Sequence, residues 1–238
     1  MKRKVSRSIS VTKNPLHKWP FFVGGFLITG LLILVFGWTT YWFTAGIFEK
    51  RQLVFDEDFQ TGYAANVYPK TSNWGIVTNG ENKVYQANNP SKTDWIWAEF
   101  GPRVFSNGVI QYHFMIVDYD APIYGSGMSY VFFRINGDWN QDSYTFQIQP
   151  TNEYLTVDYV PKLESNWVTL GNINMSISTN TWYTVRVEVH ENQIKVYLNH
   201  SLLIDSVDSK SRLSSGRLGF QVGPKTTILY DEVKVWQE

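Results

Sequence analysis

The chain has 238 residues, no cysteine and a formal net charge of zero, which allows one large or two small domains and excludes a disulfide framework. The zero hides a split: residues 1–20 carry six Lys or Arg and no acid, whereas residues 52–238 carry 13 Lys or Arg against 20 Asp or Glu, a net −7. An acidic body would repel phosphates across most of its surface, which excludes nucleic acid as the partner.

After the basic tail comes "FFVGGFLITGLLILVFGWTTYWF", residues 21–43, without a charge, and the uncharged run continues to Phe48. An α-helix needs about 20 apolar residues to cross the hydrocarbon core. Trp19 at one end and Trp38, Tyr41 and Trp42 near the other are the amphipathic rings expected at the two interfaces. The reading is therefore a tail over 1–20, a single membrane-spanning helix over 21–48 and an exported domain over 49–238. The positive charges place the N-terminus in the cytoplasm and the domain outside the plasma membrane. A cleavable signal peptide competes, but its apolar region would be about 7–15 residues long and end in a small-x-small site.

"EKRQLVF" (49–55) passes directly into apolar sequence, with no Pro/Ser/Gly-rich spacer, so the domain is expected close to the bilayer. From Leu53 onward the hydrophobic period is two. It shows in "VRVEVH" (185–190), "YTFQIQ" (144–149), "YLTVDYV" (154–160) and "VIQYHFMIV" (109–117), with turn residues every 8–12 positions. This pattern predicts an all-β, two-sheet antiparallel jelly-roll sandwich.

The stretch "HENQIKVYLNHSLLI" (190–204) fits as two successive hairpin turns. Glu191-Asn192 pairs His190 with Gln193, Val189 with Ile194, Glu188 with Lys195 and Val187 with Val196; Asn199-His200 pairs Leu198 with Ser201 and Val196 with Leu203. Its two histidines then lie about 20–30 Å apart and share neither metal nor proton.

"TWYTVRVEVHENQIKVYLNHSLLIDSVD" (181–208), "LSSGRLGFQVG" (213–223) and "ILYDEVKVW" (228–236) resemble the C-terminal half of concanavalin A-like jelly rolls. The nearest versions are the laminin-G-like and 3-keto-disaccharide hydrolase-like domains. "FDEDF", "NWGIVTNGENKVYQ", "SNGVIQYHF" and "VFFRINGDWNQDSYTFQI" extend the resemblance over most of residues 53–236. It implies the fold and says little of function, because these motifs are turns and core strands. His200 departs from the family, where glycine is usual. The glucanases of this fold are similar to one another in an E-x-D-x-x-E strand, and the chain contains no E-x-D.

Candidate site residues follow from residue type. Aromatic faces stack on sugars, which singles out Trp95 and Trp97 in "TDWIWAEF", Tyr124 in "APIYGSGMSY" and Trp139 in "NGDWNQD". Trp95 and Trp97 alternate with Ile96 and share one side of their strand, as core if that side faces in. Trp139 stands in a polar turn, where Arg134, Asn136, Asp138 and Asn140 would supply polar contacts. Asp118 and Asp120 in "VDYDAP" are candidate Ca²⁺ ligands, although solvated turn aspartates are commoner; Asp138 with Asp142 and Asp205 with Asp208 read the same way. The resemblance makes the first and last strands neighbours, which would bring Asp58 near Asp231. Asp231 shares its strand face with Val233 and Val235 and is expected inward, hydrogen bonded to turn backbone near the N-terminal strand or sharing a cation with Asp58.

The function these features indicate is a single-pass, non-catalytic surface domain that binds a glycan or a protein and requires no cofactor, with structural Ca²⁺ an option at the aspartate pairs. An accessory subunit of a larger membrane complex is the alternative, motivated by Gly24, Gly25 and Gly30, which let helices pack closely. A glycoside or 3-keto-glycoside hydrolase is a third reading, on resemblance alone.

Overall fold

The computed structural model describes residues 51–138, 141–162 and 166–238; the expected tail and membrane span, and Trp139 and Asn140, lie outside them. Among the described residues no helix is long and apolar enough to cross a membrane. The compact unit containing them runs from Lys50 to Glu238.

Among the described residues fifteen strands form two antiparallel sheets. One sheet runs β13 (Ser201–Val207), β12 (Gln193–Leu198), β11 (Tyr183–His190), β6 (Gly108–Tyr119), β15 (Thr226–Gln237), β4 (Asn82–Asn89) and β3 (Trp74–Asn79), with β1 (Gln52–Glu57) also paired to β15. The other runs β10 (Val168–Asn174), β9 (Tyr154–Val160), β8 (Ser143–Gln149), β7 (Ser129–Ile135), β14 (Gly216–Val222), β5 (Ile96–Phe105) and β2 (Val67–Pro69). The two-sheet sandwich that the alternation indicated is the architecture.

Alternate side chains of each strand meet in the space between the sheets. β8 contributes Tyr144, Phe146 and Ile148, and β11 contributes Val185, Val187 and Val189. Stacked rings tie the layers together: Phe100 lies 4.3 Å from Phe220, Phe220 lies 4.4 Å from Tyr230, and Tyr112 meets Phe220 edge-on at 5.0 Å. Each such ring contributes about 1.5–3 kcal/mol by burial, so the core stands without cross-links.

The first hairpin has the expected register, His190 to Gln193 through Val187 to Val196. The second agrees at Leu198 and Ser201, then shifts, and Val196 faces Ile204 rather than Leu203. A bulge adds one residue there and keeps Ile204 inward, in the core.

A second bulge corrects the reading of Asp231. The β15–β6 register slips between Asp231 and Lys234, and Glu232 takes φ +46°. The extra residue puts Tyr230, Val233 and Val235 in the core and leaves Asp231 on the opposite face, half-buried. Asp231 Oδ1 accepts from the backbone N–H of Glu232 at 2.8 Å rather than from a turn near β1. Next to β1 it is Glu57, also buried, that holds turn backbone: its Oε1 accepts from Phe59 N at 2.9 Å and its Oε2 from Ala65 N at 2.7 Å.

Candidate functional site

A groove of about 970 Å³ lies on the outer face of the seven-stranded sheet. The alternation that sends Phe146 and Ile148 inward sends Gln147 and Gln149 outward, and likewise Thr156 and Asp158 on β9, Asn172 and Asn174 on β10 and Gln221 on β14. The floor is therefore made of amides, hydroxyls and one carboxylate.

These groups are connected in one direction. Asn152 Nδ2 donates to Gln149 Oε1 at 3.1 Å, Gln149 Nε2 to Gln147 Oε1, and Gln147 Nε2 to Asp158 Oδ2. Thr156 Oγ1 donates to the same Asp158 oxygen at 2.6 Å. Each bond polarises the next, and the chain ends on a carboxylate that is 2% exposed. It stiffens the floor and fixes which way the amides point.

The walls are aromatic. Tyr130 stands between Trp95, edge-on at 5.4 Å, and Trp167, edge-on at 5.9 Å. Burial, and after it the neighbouring Tyr124, Tyr154 and Asp158, holds the Tyr130 hydroxyl far above the usual phenol range. It stays neutral and donates to Met128 Sδ at 3.2 Å.

Trp95 is held by what surrounds it. Asn89 is buried and donates from Nδ2 to the carbonyls of Asp94 (2.8 Å) and Gly223 (2.9 Å), joining the turn before Trp95 to the β14–β15 turn. The indole packs on the backbone of Gly125 and Gly223, close enough that a Cβ at either would press on the ring. The 120–128 loop is fastened by Gly127 N to Thr226 Oγ1 at 2.7 Å, and by Ser126 Oγ, which donates to Lys225 O (3.1 Å) and accepts from Asp120 N (2.8 Å). Tyr124 projects from this loop, 87% exposed, at the rim of the groove.

The sequence candidates separate accordingly. Trp95 and Tyr124 meet at the groove. Trp97 shares the outer face but is 3% exposed, packed with Met128, Tyr130, Phe132 and Val160 in a small second core. Arg134 does not face solvent. It is 1% exposed, and it donates to the carbonyls of Ser106 (3.0 Å), Glu191 (2.7 Å) and Leu213 (2.7 Å) and to Asn107 Oδ1 (3.0 Å). With its donors committed to three backbone carbonyls and the Asn107 side chain it is a strut, and burial lowers its pKa. Asn136 donates to Ser215 O at 2.9 Å, and exposed Asp138 shares its turn, at the far end of the β7–β8 hairpin, about 20 Å along the strand from Ser129.

Asp118 and Asp120 are exposed, and Asp58 is exposed with Oδ1 accepting from Gln60 N at 3.0 Å. Among the described residues no group of three or more His, Cys, Asp or Glu is placed to hold a metal ion. Asp208 is already engaged, by Tyr144, by the backbone of Lys210 and Arg212, and by the Arg212 guanidinium.

Sequence reasoning missed the floor. Its signal was present in the polar positions of "YTFQIQ", "YLTVDYV" and "GNIN", where amides and hydroxyls outnumber charges on the side away from the core. Those segments revealed strands through their apolar half, and the other half carries the site.

A family model described as 3-keto-alpha-glucoside-1,2-lyase-like domain matches residues 50–235. No curated protein matches the chain. Among solved structures it is similar to the carbohydrate binding module CBM66 from Bacillus subtilis, at 17% identity over 71% of this chain and 93% of that one, with a TM-score of 0.55. It is similar to domain 4 of AbnA, an extracellular arabinanase from Geobacillus stearothermophilus, in complex with arabinotriose, at 12% identity over 79% and 94% with a TM-score of 0.53. The Bacillus licheniformis beta-glucanase aligns at 11% identity over 80% and 100%, with a TM-score of 0.55. At these identities the likeness is one of fold.

Proposed function

The chain belongs to the 3-keto-alpha-glucoside-1,2-lyase-like domain family, and we propose that this member is a non-catalytic glycan-binding protein, anchored in the plasma membrane with its sandwich outside the cell. The observation that carries the binding half is the groove. Ring faces at its rim suit the CH surfaces of a sugar, and a floor of oriented amides suits its hydroxyls. Two proteins sharing the fold are, by their own descriptions, a carbohydrate binding module and a domain in complex with arabinotriose.

The non-catalytic half rests on the acids. Glycoside hydrolysis by the common mechanisms needs two carboxylates on either side of the scissile bond. Among the described groove residues Asp158 is the only carboxylate.

The anchor rests on the uncharged run over 21–48 and the basic tail before it. The topology of the domain supports display. The chain enters at Gln52, which faces Gln237, and Gln237 in turn faces Gly108 at the start of β6. The Tyr124 loop follows the other end of β6, about 35–40 Å away for a 12-residue strand. The aromatic rim is thus opposite the point of entry.

The test is glycan-array binding by the full chain, purified in a polyoxyethylene detergent that carries no sugar. We expect binding to at least one glycan class, lost in Trp95→Ala and in Gln147→Ala, and no turnover of glycosides or 3-keto-glycosides. Binding that survives both substitutions would remove the groove from the function, and turnover would overturn the non-catalytic assignment.

A further inference from the structure

We propose that the glycan taken by this groove carries ammonium groups, as an amino sugar does when its nitrogen is not acylated; the proposal rests on the glycan-binding reading above. The first observation is the charge of the lining. Its titratable side chains among the described residues are Asp158, Tyr124, Tyr130 and Tyr154, so every group there that can change charge becomes negative and none is a base. The domain around it carries a net −7 over residues 52–238. A polyanionic glycan meets only repulsion on this face.

The second observation is the state of Asp158. Buried acids elsewhere in the domain are compensated. Asp208 has the Arg212 guanidinium, and Glu57, without a cation, has a backbone N–H on each of its two oxygens. Asp158 has neither arrangement. Its two hydrogen bonds, from Gln147 and Thr156, come from neutral donors and fall on Oδ2 alone. Among the described residues Oδ1 accepts no hydrogen bond and no cation pairs with the carboxylate. A cation that reaches this little-hydrated carboxylate from the groove gains a charge-assisted bond. Here the cation would come with the ligand.

The third observation is the wall. Tyr130 and its flanking indoles, Trp95 and Trp167, present electron-rich rings to the same groove, and an ammonium over such a face is attracted by the ring quadrupole. One ammonium on Asp158 and neighbouring sugar rings against the aromatics would use the floor and the walls together. A neutral sugar can use the amides and the walls but brings no charge to Asp158.

Three β-1,4-linked hexasaccharides with one pyranose frame separate the cases: those of glucosamine, N-acetylglucosamine and glucose. Titrated calorimetrically into the full chain in a polyoxyethylene detergent at about pH 6, the glucosamine oligomer should bind at least about tenfold more tightly than the other two, the effect of one charge-assisted contact. The difference should close in Asp158→Asn, which keeps the side-chain shape. It should also close in the unaltered protein on moving to about pH 9, where amines with ordinary values near 8 are neutral; this arm needs no variant to fold. Equal or tighter binding of either neutral oligomer would overturn the ammonium proposal and leave glycan binding standing. Spermidine binding as tightly as the glucosamine oligomer would place the recognition on the amine without the sugar and overturn it too. If no oligosaccharide of the three and no glycan on the array binds, the underlying reading falls with it.

Discussion

A Cβ on Gly125 would lie 2.6 Å from Cζ2 of Trp95. The indole at the groove mouth therefore takes its position from a missing side chain in a neighbouring loop. Gly125 also sits at φ +81°, which L side chains adopt poorly. Gly125→Ala should displace Trp95, weaken glycan binding at least tenfold and cost about 1–3 kcal/mol in a denaturant titration. Trp95→Ala should cost binding while the melting transition stays cooperative, because Trp95 lies outside the main core. If Gly125→Ala binds normally, the ring is not held in this way.

Arg134 leads to the opposite expectation. It gathers three backbone carbonyls and Asn107 from the 106–107, 191 and 213 segments, so it fixes three loops against the start of β14. Replacing it by methionine leaves those carbonyls without their donor in a buried to part-buried setting, at about 1–3 kcal/mol for each one that finds no substitute. We expect Arg134→Met to lose about 3 kcal/mol or more in urea unfolding. Its affinity for glycan per folded molecule should be unchanged, since the groove is lined elsewhere. A selective loss of affinity would return Arg134 to the binding site.

These two residues also show how far the sequence could be read. Apolar alternation exposes strands because burial acts on every second residue, so the sandwich and the β11–β12 register were legible. Trp95 and Tyr124 stood out as candidates, because large aromatics beside turn residues are uncommon, and both line the groove. Arg134 was misread because a basic residue before "NGDWNQD" looks like a loop residue; nothing local shows that backbone carbonyls from distant segments converge on it. The two bulges, at Leu203 and Glu232, shifted pairing by one residue for the same reason, being settled by the partner strand. The amide floor lay in plain view, but only the packing of β8, β9 and β10 side by side turns scattered Gln and Asn into a surface.

The Asn199-His200 turn offers a paired test. Both residues have positive φ, +47° and +68°. Asn199 also works with its side chain, accepting from Thr184 N at 2.9 Å, whereas His200 is exposed. His200→Gly should relieve left-handed strain and gain about 0.5 kcal/mol after the added freedom of the unfolded chain is subtracted. Asn199→Gly should lose about 1 kcal/mol with its hydrogen bond. Thermal midpoints moving in opposite directions would establish the division, and a destabilised His200→Gly would refute it.

Two aspartates should give the domain opposite responses to acid. For Asp208, burial is the largest influence and raises the pKa, but the Tyr144 hydroxyl at 2.6 Å, the Arg212 and Lys210 backbone N–H groups and the Arg212 charge together hold it below its ordinary 3.8. A depressed folded value means that its stabilisation is complete above 3.8 and disappears as pH falls through the folded value. For Asp231, burial comes first and the nearby Glu232 and Asp58 charges add to it, outweighing the Glu232 N–H and His113, so its value is raised. Its contribution is complete below 3.8 and is lost as pH rises through the folded value, leaving the ionised group a burden at neutrality. Asp208→Asn should therefore cost about 3 kcal/mol at pH 7, as expected when a buried ion pair loses one partner, and progressively less in acid. Asp231→Asn should raise the neutral-pH midpoint slightly, an effect reduced by its partial exposure, and change nothing in acid. Urea midpoints measured for both variants between acid and neutral pH would check the signs, and parallel pH curves for the two would contradict them.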